Sequence, residues 1–555
     1  MSRQHHILLS GLVFQVALPY RDATMKLHGK NLIAGERVSS TGHTFQCKSP
    51  LDGTALPGDF AHASEDETAS ALIAAGSDFP SFAATSAETR ALFLETIAQN
   101  ILDLGDALLE RCHAECGLPM ARLQGERGRT VGQLRLFAQV AREDSWRDPR
   151  IDTAQPDRQP LPKPDLRRAH VPLGPVVVFG ASNFPLAFSV AGGDTASAFA
   201  TGNPVVVKAH DSHPGTSELV GEAILAAINS LGLPSGVFSM LHGPGRKLGP
   251  ILAKHPATKA VALTGSLTAG RALFDASASR PDPIPVFAEM SSLNPFIVLP
   301  SALAKRGAAI ATQLVGSITL GVGQFCTKPG IVFVHTGEGY EEFKTALAAA
   351  AAAVPPATML HSGICDSFTR GSKSLLDLPG IEVLGKASAA PDAVKNEGAA
   401  VVVRVTAETF LSTPHLREEY FGPLGIVIET PDEETLLRCL SILGGQLSIT
   451  FHGENADFSN ASSIVDAATR MAGRIVFNSV PTGVEVCPSM QHGGPWPAAS
   501  DARFTSVGTA ALVRFTRPVA WQGSPESLLP EVLRDANPRG LIRLVNGVPT
   551  SAPVS

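Results

Sequence analysis

The sequence predicts an α/β protein with parallel sheets. Short apolar runs at residues 176–179 and 205–208 are typical of buried strands, and residues 216–231 have the apolar spacing of a helix. Alternation of this kind produces βαβ units, whose strands pair in parallel. A second alternating region extends from about residue 287 to 478, and a chain of 555 residues is too long for one domain. We therefore expect two sheet-containing domains.

The remaining elements follow in chain order. Residues 31–60 contain several glycines and prolines and predict short strands and turns, whereas residues 65–140 have apolar positions at helical spacing. Five prolines within residues 148–164 predict an extended crossing segment. We also predict a helix at 340–353 and further strands at 238–241, 260–263, 297–299, 331–334, 400–403, 424–428 and 475–477.

Composition argues against several classes of protein. Hydrophobic residues make up 44% of the chain, charged residues 17%, and the net charge is −6, which gives no sign of a nucleic-acid partner. No apolar run reaches the ~18 residues that span a bilayer, so we expect a cytoplasmic protein without a membrane partner. The seven cysteines lack disulfide-framework or metal-ligand spacing, and we expect no metal site. Residues 1–24 are interpreted as a leader or an over-long start, because Met25 opens a natural beginning.

Two residues of the second region have reactive side chains. Cys326 lies between glycines and leads into a predicted strand, where its thiol can face a bound ligand. Because the thiolate is the nucleophile, such a site must lower the thiol pKa or supply a base. Glu289 ends an apolar run, where partial burial is expected to raise its pKa and let it take a proton from water. Taken singly, the residue types favour a buried structural cysteine at Cys326 and a solvated loop residue at Glu289.

Other candidates lie where predicted strands end. Gly265, Ser266 and Gly270 follow a strand at the start of a helix, where free N–H groups can bind a phosphate, although a capped helix start needs no ligand. Asn183 can donate its amide to a developing oxyanion, and Lys208 ends the next strand at the edge where ligands bind open sheets. Both can also be edge residues that bind local backbone or water.

The order and spacing of these residues resemble the aldehyde dehydrogenase superfamily. The resemblance covers roughly residues 32–515, and so many separate matches in one order argue against coincidence. The matching motifs are Asn183-Phe184-Pro185-Leu186, Lys208, Gly265-Ser266 with Gly270, Glu289, Cys326 and Glu419-Tyr420-Phe421-Gly422-Pro423.

The resemblance implies a division into domains. It assigns residues 25–148 and 168–287 to a cofactor-binding domain and 288–500 to a catalytic domain. Residues 149–167 and 501–525 are then an oligomerisation flap, and 526–555 a C-terminal tail. It further implies a homodimer or homotetramer that acts on a small aldehyde.

The resemblance also assigns roles to residues. Cys326 attacks the aldehyde carbon, while Asn183 and the Cys326 N–H hold the oxyanion and Glu289 activates the water that hydrolyses the thioester. The implied cofactor-binding residues are Lys208 at the adenosine ribose, Ser266 with Gly265 and Gly270 at the pyrophosphate, and Glu419 at the nicotinamide ribose, with Phe421 in the same motif.

The substrate and cofactor follow from departures within the family. Met290, Ser291 and Ser292 replace the residues common after the catalytic glutamate, as in a branch of 2,5-dioxopentanoate (α-ketoglutaric semialdehyde) dehydrogenases and NADP-dependent fatty aldehyde dehydrogenases. We favour oxidation of 2,5-dioxopentanoate to 2-oxoglutarate over fatty aldehyde oxidation. Asp211 is placed to repel a 2′-phosphate, whereas Arg246 matches an arginine of NADP-using relatives, and we expect NADP with NAD accepted.

Three questions stay open at this point. The fold can be retained in a non-catalytic binding protein, although Cys326, Glu289 and Asn183 together argue against it. A CoA-acylating dehydrogenase is a further alternative, which Glu289 disfavours because it provides for hydrolysis. A dicarboxylic semialdehyde also needs a cation at the mouth of the site, for which Arg474 and Arg503 are candidates.

Overall fold

A computed structural model describes residues 27–554, so the interpretation of residues 1–24 falls outside the described part. The strands are β1 (Asn31–Ile33), β2 (Glu36–Val38), β3 (Thr44–Phe45), β4 (Phe60–Ala61), β5 (Arg150–Asp152), β6 (Leu166–Pro172), β7 (Val176–Phe179), β8 (Val205–Lys208), β9 (Phe238–Leu241), β10 (Ala260–Thr264), β11 (Val286–Glu289), β12 (Phe296–Val298), β13 (Ile331–His335), β14 (Ala357–Thr358), β15 (Glu382–Lys386), β16 (Glu397–Gly398), β17 (Val401–Thr406), β18 (Leu424–Thr430), β19 (Gln446–His452), β20 (Ala472–Phe477), β21 (Thr516–Gln522), β22 (Arg543–Val545) and β23 (Val548–Thr550).

The helices connect these strands on both sides of the sheets. They are α1 (Glu65–Ala83), α2 (Ala87–Asp103), α3 (Gly105–Cys116), α4 (Met120–Glu143), α5 (Gly193–Ala200), α6 (Pro214–Leu231), α7 (Gly245–Lys254), α8 (Leu267–Ala278), α9 (Pro300–Thr319), α10 (Tyr340–Ala353), α11 (Ser362–Leu376), α12 (Ala407–Ser412), α13 (Glu433–Ser441), α14 (Asn455–Phe458) and α15 (Ser462–Met471).

The first sheet has the order β11-β10-β7-β8-β9-β1-β2, and its strands from β11 to β9 are parallel. Its five parallel strands consist mainly of buried apolar residues because both faces of this part of the sheet are covered. Side chains of β7 alternate between two cores: Val176 and Val178 pack on the side of α2, α4 and α6, and Val177 on the side of α1, α7 and α8. The alternation follows from the two-residue period of a strand.

The second sheet has the order β15-β17-β18-β13-β12-β19-β20 and is parallel except for β15. It is also covered on both faces: Ile331 and Phe333 of β13 pack in one core, and Val332 and Val334 in the other. The predicted α/β fold with two parallel sheets is confirmed. β19, a central strand of this sheet, was not among the predicted strands.

A third sheet, of order β21-β6-β5-β22-β23, contains the segments that the resemblance assigned to a flap. Residues 526–555 were expected to form a separate tail, but β22 pairs with β5 in parallel and extends this sheet. Leu529, Val532 and Leu533 are buried there against Ile151 and Ala169. The segment therefore belongs to the flap sheet, because its few apolar residues bury together. Among residues 27–554, no helix combines the length and apolar character needed to cross a membrane.

A buried carboxylate fixes the start of α6, the helix that follows β8 of the first sheet. Glu115 is 1% exposed and accepts hydrogen bonds from the N–H groups of Gly215 and Thr216, at 2.7 and 2.8 Å, at the start of α6. It also accepts from the Thr216 hydroxyl and pairs with Arg111 at 2.7 Å. The carboxylate thereby satisfies the free donors of a helix N-terminus and complements its dipole.

We expect Glu115→Gln to destabilise the protein by about 2 kcal/mol, because an amide N–H would face buried donors that now have an acceptor. The measurement is the midpoint of thermal unfolding, which should fall. Glu110→Gln removes an exposed carboxylate from the same helix and serves as the matched control. Equal midpoints for the two variants would contradict the assigned capping role.

Candidate active site

The loop that carries Cys326 has an uncommon backbone. Gly321, Val322 and Gly323 all have left-handed conformations, with φ of 56°, 58° and 68°. The glycines are required here, since a Cβ on Gly323 would lie 2.2 Å from the Gly422 carbonyl oxygen. A β-branched residue such as Val322 rarely adopts this conformation, so the surrounding contacts must stabilise it. The loop therefore places Cys326 at a strained turn just before β13.

Asn294 ties this loop to the segment that follows Glu289. Its side-chain amide donates to the carbonyl oxygens of Cys326 and Lys328, at 2.8 and 3.0 Å. Its Oδ1 accepts from the hydroxyls of Ser292 and Ser448, at 2.9 and 3.0 Å. Asn294 is 1% exposed and has φ of 47°, a conformation that asparagine tolerates better than most residues. The general base candidate and the nucleophile are thus fixed relative to each other.

Cys326, Glu289 and His492 form the centre of the site. Glu289 is the last residue of β11 and is 4% exposed. The His492 Nε2 lies 2.9 Å from Glu289 Oε1 and 3.5 Å from the Cys326 sulfur. The Ser506 hydroxyl donates to the other Glu289 oxygen at 2.5 Å. A cavity of about 20 Å³ beside Glu289, His492 and Ser506 has room for one water molecule.

The charges of these groups act on one another. Burial and the Glu289 carboxylate raise the pKa of Cys326 well above its usual value, and Arg129 partly opposes this. The sequence also predicted a raised pKa for Glu289, and that prediction is wrong because the pKa is lowered. Burial does favour a raised pKa, but the charge and hydrogen bond of His492, with hydrogen bonds from Ser506 and Cys326, hold the pKa of Glu289 below its usual range.

Asn183 lies beside the nucleophile loop, the loop of residues 321–326 that carries Cys326. Its side-chain amide donates to the Gln324 carbonyl oxygen at 3.1 Å, and it is 8% exposed. The Arg122 guanidinium donates to the Asn183 carbonyl oxygen at 2.6 Å and lies against the rings of Phe184 and Phe325. These contacts hold the Asn183 side chain against the backbone of Gln324, two residues before Cys326.

Most of the predicted cofactor residues line one cavity of about 760 Å³ at the carboxyl edge of the first sheet. Lys208 and Asp211 form an ion pair of 2.6 Å there, and burial lowers the pKa of Lys208. Gly265 and Ser266 line the same cavity, and the Ser266 hydroxyl accepts from the Ala269 N–H as the cap of α8. Arg246 also lines the cavity, in the first turn of α7, where the preceding Gly245 lies beside Lys208: a Cβ there would be 3.8 Å from the ammonium nitrogen.

Three predicted cofactor residues lie apart from that lining. Gly270 provides close packing, since a Cβ would lie 2.4 Å from the Met290 sulfur. Burial raises the pKa of Glu419, opposed by the Ser291 hydroxyl and by Lys328. Phe421 is half-buried two residues further on.

The structure separates the two candidate substrate cations. Arg474 donates to the carbonyl oxygens of Gly483, at 3.0 Å, and of Pro481, and its charge acts on Cys326. Arg503 is 80% exposed at its side chain and pairs with Asp501.

Sequence reasoning missed His492, which the fold brings to Cys326 from 166 residues away. The two glycines that follow His492 in the sequence are a hint that this segment packs closely. The structure explains them, because Cβ atoms on Gly493 and Gly494 would overlap neighbouring backbone oxygens. Nitrogen, oxygen and sulfur atoms of His492, Glu289 and Cys326 lie within 4.8 Å of one another, a spacing that a metal ion could also use. Cysteine spacing alone, from which no metal site was expected, cannot show such a group.

Comparison with known proteins identifies the class. The model of the aldehyde dehydrogenase family matches residues 37–494, so the chain belongs to this family, as the motifs indicated. It is accordingly an enzyme that oxidises aldehydes with a nicotinamide cofactor.

Two bacterial relatives are similar over nearly the whole chain. The alpha-ketoglutaric semialdehyde dehydrogenase 2 of Azospirillum brasilense is 50% identical over 94% of this chain and 99% of the relative. The alpha-ketoglutaric semialdehyde dehydrogenase of Acinetobacter baylyi is 45% identical over the same shares. Among solved structures, 3,6-anhydro-L-galactose dehydrogenase in complex with NAP has a TM-score of 0.76 at 24% identity and covers 89% of this chain and 99% of its own. Betaine aldehyde dehydrogenase from Staphylococcus aureus has a TM-score of 0.77 at 18% identity, covering 90% of this chain and 96% of its own.

We expect Glu289→Gln to lower the pKa of the Cys326 thiol, because it removes a negative charge that disfavours the thiolate. The pH midpoint of iodoacetamide labelling at Cys326 should shift to lower pH by about one unit. Ser506→Ala keeps the Glu289 charge and is the matched control, with a smaller shift. An unchanged or higher midpoint in Glu289→Gln would show that the carboxylate does not control the thiol.

Proposed function

We propose that this enzyme oxidises 2,5-dioxopentanoate to 2-oxoglutarate, with NADP preferred and NAD accepted. The observation that carries the substrate proposal is the 50% identity to a relative named alpha-ketoglutaric semialdehyde dehydrogenase over 94% of the chain. The site supports the reaction type, since the polar atoms of a half-buried cysteine, a carboxylate and an imidazole lie within 4.8 Å of one another.

The chemistry begins with removal of the Cys326 proton. Because burial raises the pKa of Cys326, the thiol needs an adjacent base, and Glu289, which accepts a hydrogen bond from the thiol, is placed to take its proton. The thiolate attacks the aldehyde carbon, and the oxygen becomes an oxyanion that the Asn183 amide can hold.

The second half of the reaction is hydrolysis. A nicotinamide cofactor held in the cavity lined by Lys208 and Ser266 would supply the oxidant that converts the thiohemiacetal to a thioester on Cys326. Glu289 then takes a proton from water, whose oxygen attacks the thioester carbonyl and displaces the Cys326 thiolate. The low pKa of Glu289 keeps this base ionised at neutral pH.

The cavity along the first sheet fits a dinucleotide. The N-termini of α7 and α8 both reach its lining, so their free N–H groups can bind a pyrophosphate. Lys208 can bind the adenosine ribose, while its ion pair with Asp211 offsets the repulsion between that carboxylate and a 2′-phosphate. Arg246, which follows the Gly245 that lies beside Lys208, supplies a cation for the same phosphate. These features support the NADP preference.

The proposal includes a homodimer or homotetramer. Within the described chain, β20 ends the second sheet and β21 ends the flap sheet, and each has one side without a neighbouring strand. Edges of this kind are commonly covered in the assembled protein. A solution mass measurement distinguishes the two assemblies from a monomer.

The substrate proposal is tested by steady-state kinetics with 2,5-dioxopentanoate and a long-chain aldehyde, compared as kcat/KM. We expect a preference for the keto-semialdehyde, and loss of turnover in Cys326→Ala with cofactor binding retained. A preference for the long-chain aldehyde would replace the proposal with fatty aldehyde oxidation. Turnover that persists in Cys326→Ala would contradict the nucleophile assignment instead.

The cofactor preference is tested separately. We expect Arg246→Met to lower kcat/KM for NADP about tenfold and to change it little for NAD, because only NADP has the 2′-phosphate that the guanidinium would bind. Lys247→Met removes a neighbouring exposed cation that does not line the cavity, and it should leave the ratio unchanged. Equal effects of Arg246→Met on the two cofactors would contradict this assignment.

A further inference from the structure

Helix α4 presents one face to the nucleophile loop. Arg122, Glu126 and Arg129 lie at positions i, i+4 and i+7 of this helix and therefore share a face. Arg122 donates to the Asn183 carbonyl oxygen, and Glu126 accepts from the N–H groups of Leu186 and Ala187, at 2.8 and 3.0 Å. Two of the three side chains thus position backbone around Asn183, whereas the third has no such contact.

Arg129 has a buried edge that no protein group uses. Its Nε and Nη2 atoms are shielded from solvent and have no hydrogen-bond partner among the described residues. Nε and Nη2 form the side edge of a guanidinium, which binds the two oxygens of one carboxylate. No described carboxylate forms an ion pair with Arg129, although an unpaired buried charge is costly. The arrangement calls for an anionic ligand.

The position of Arg129 relates this edge to the reacting centre. Its guanidinium lies 5.4 Å from the ring centre of Phe188 and 6.0 Å from that of Phe184, and the Phe184 ring contacts Phe325, the neighbour of Cys326. Burial lowers the pKa of Arg129, and the charge of a Cys326 thiolate opposes this. The Phe184 ring connects the guanidinium to the loop that carries Cys326, and the aromatic rings fix the plane of the guanidinium.

Other cations near the site are already engaged. Arg474 also interacts electrostatically with Cys326, but its two terminal nitrogens bind the carbonyl oxygens of Gly483 and Pro481. Arg503 is exposed and paired with Asp501. Arg129 thus differs from both, because its binding edge is buried and unpaired.

We propose that the Nε and Nη2 edge of Arg129 binds the carboxylate at the far end of the substrate and so selects aldehydes that carry an acid group. This inference rests on the proposed function, for which it names the residue that determines specificity. A carboxylate would satisfy both donors at once. An uncharged aldehyde would leave them buried and unpaired, and sites of this kind reject analogues that lack the matching group more strongly than apolar pockets do.

The test compares wild type, Arg129→Met and Arg135→Met on 2,5-dioxopentanoate and on pentanal, an uncharged aldehyde of the same chain length. Arg135 is exposed on the same helix and controls for the loss of a positive charge. We expect Arg129→Met to lower kcat/KM for the keto-semialdehyde about 30-fold or more, mainly through KM, without loss for pentanal. Arg135→Met should match wild type. Arg129→Lys, which keeps the charge but not the paired donors, should fall between them.

A second measurement does not depend on turnover. 2-Oxoglutarate should slow iodoacetamide labelling of Cys326 in wild type and Arg135→Met, and should protect Arg129→Met far less. A wild type that prefers pentanal would overturn the proposed function, and the role of Arg129 with it. A wild type that prefers the keto-semialdehyde, together with an Arg129→Met variant that keeps this preference, would overturn the Arg129 assignment alone. An equal loss on both aldehydes would instead assign Arg129 to the support of Phe184 and Asn183.

Discussion

The hydrogen bonds from the Asn294 side chain to the carbonyl oxygens of Cys326 and Lys328 hold the nucleophile loop against the segment that carries Glu289. These two segments come from different sheets, since Glu289 ends β11 and Cys326 precedes β13. Strand β19 completes the connection: the Gln446 side chain accepts from the N–H groups of Leu293 and Asn294, at 2.8 and 3.1 Å. A buried amide network with all partners present is rigid, and it therefore keeps the distance between nucleophile and base constant.

That rigidity has an electrostatic consequence. A fixed carboxylate beside a buried sulfur disfavours the thiolate, so the resting thiol is protonated, while His492 keeps the carboxylate ionised. The free site thus holds an ionised Glu289 beside a protonated Cys326 thiol, and the Cys326 thiolate is not formed in advance. Such an arrangement limits unwanted reactions of the cysteine before substrate is present, because the thiolate is the reactive form.

The sequence predicted the strands that form an unbroken apolar run, and it failed where polar residues interrupt a strand or come from a distant loop. Strands such as β7 and β8 are apolar because helices cover both faces, and their bounds were predicted correctly. Strand β19 was missed because the predictions relied on unbroken apolar runs, whereas Gln446, Ser448 and Thr450 interrupt this strand at every second position. Two of these polar side chains hold the Asn294 segment. The motif residues could be placed by resemblance. His492 and Arg129 could not, since their roles arise from contacts between distant segments.

The predicted direction of the Glu289 pKa was wrong for the same reason. Burial can be inferred from a neighbouring apolar run, but a hydrogen-bond partner from another loop cannot.

The proposed role of Arg129 also accounts for the need of a proton acceptor next to the Cys326 thiol. In the free site the guanidinium lowers the pKa of Cys326 and so favours the thiolate. A substrate carboxylate bound to the same guanidinium would largely cancel that charge at the moment when the thiolate must form. The charge of Arg129 alone would then favour the Cys326 thiolate before the substrate binds, and no longer favour it once the substrate carboxylate is bound. Glu289, which accepts a hydrogen bond from Cys326, can remove the proton whether or not the cation is neutralised. Selection of an acidic aldehyde by a buried cation thus requires activation of the cysteine by an adjacent base.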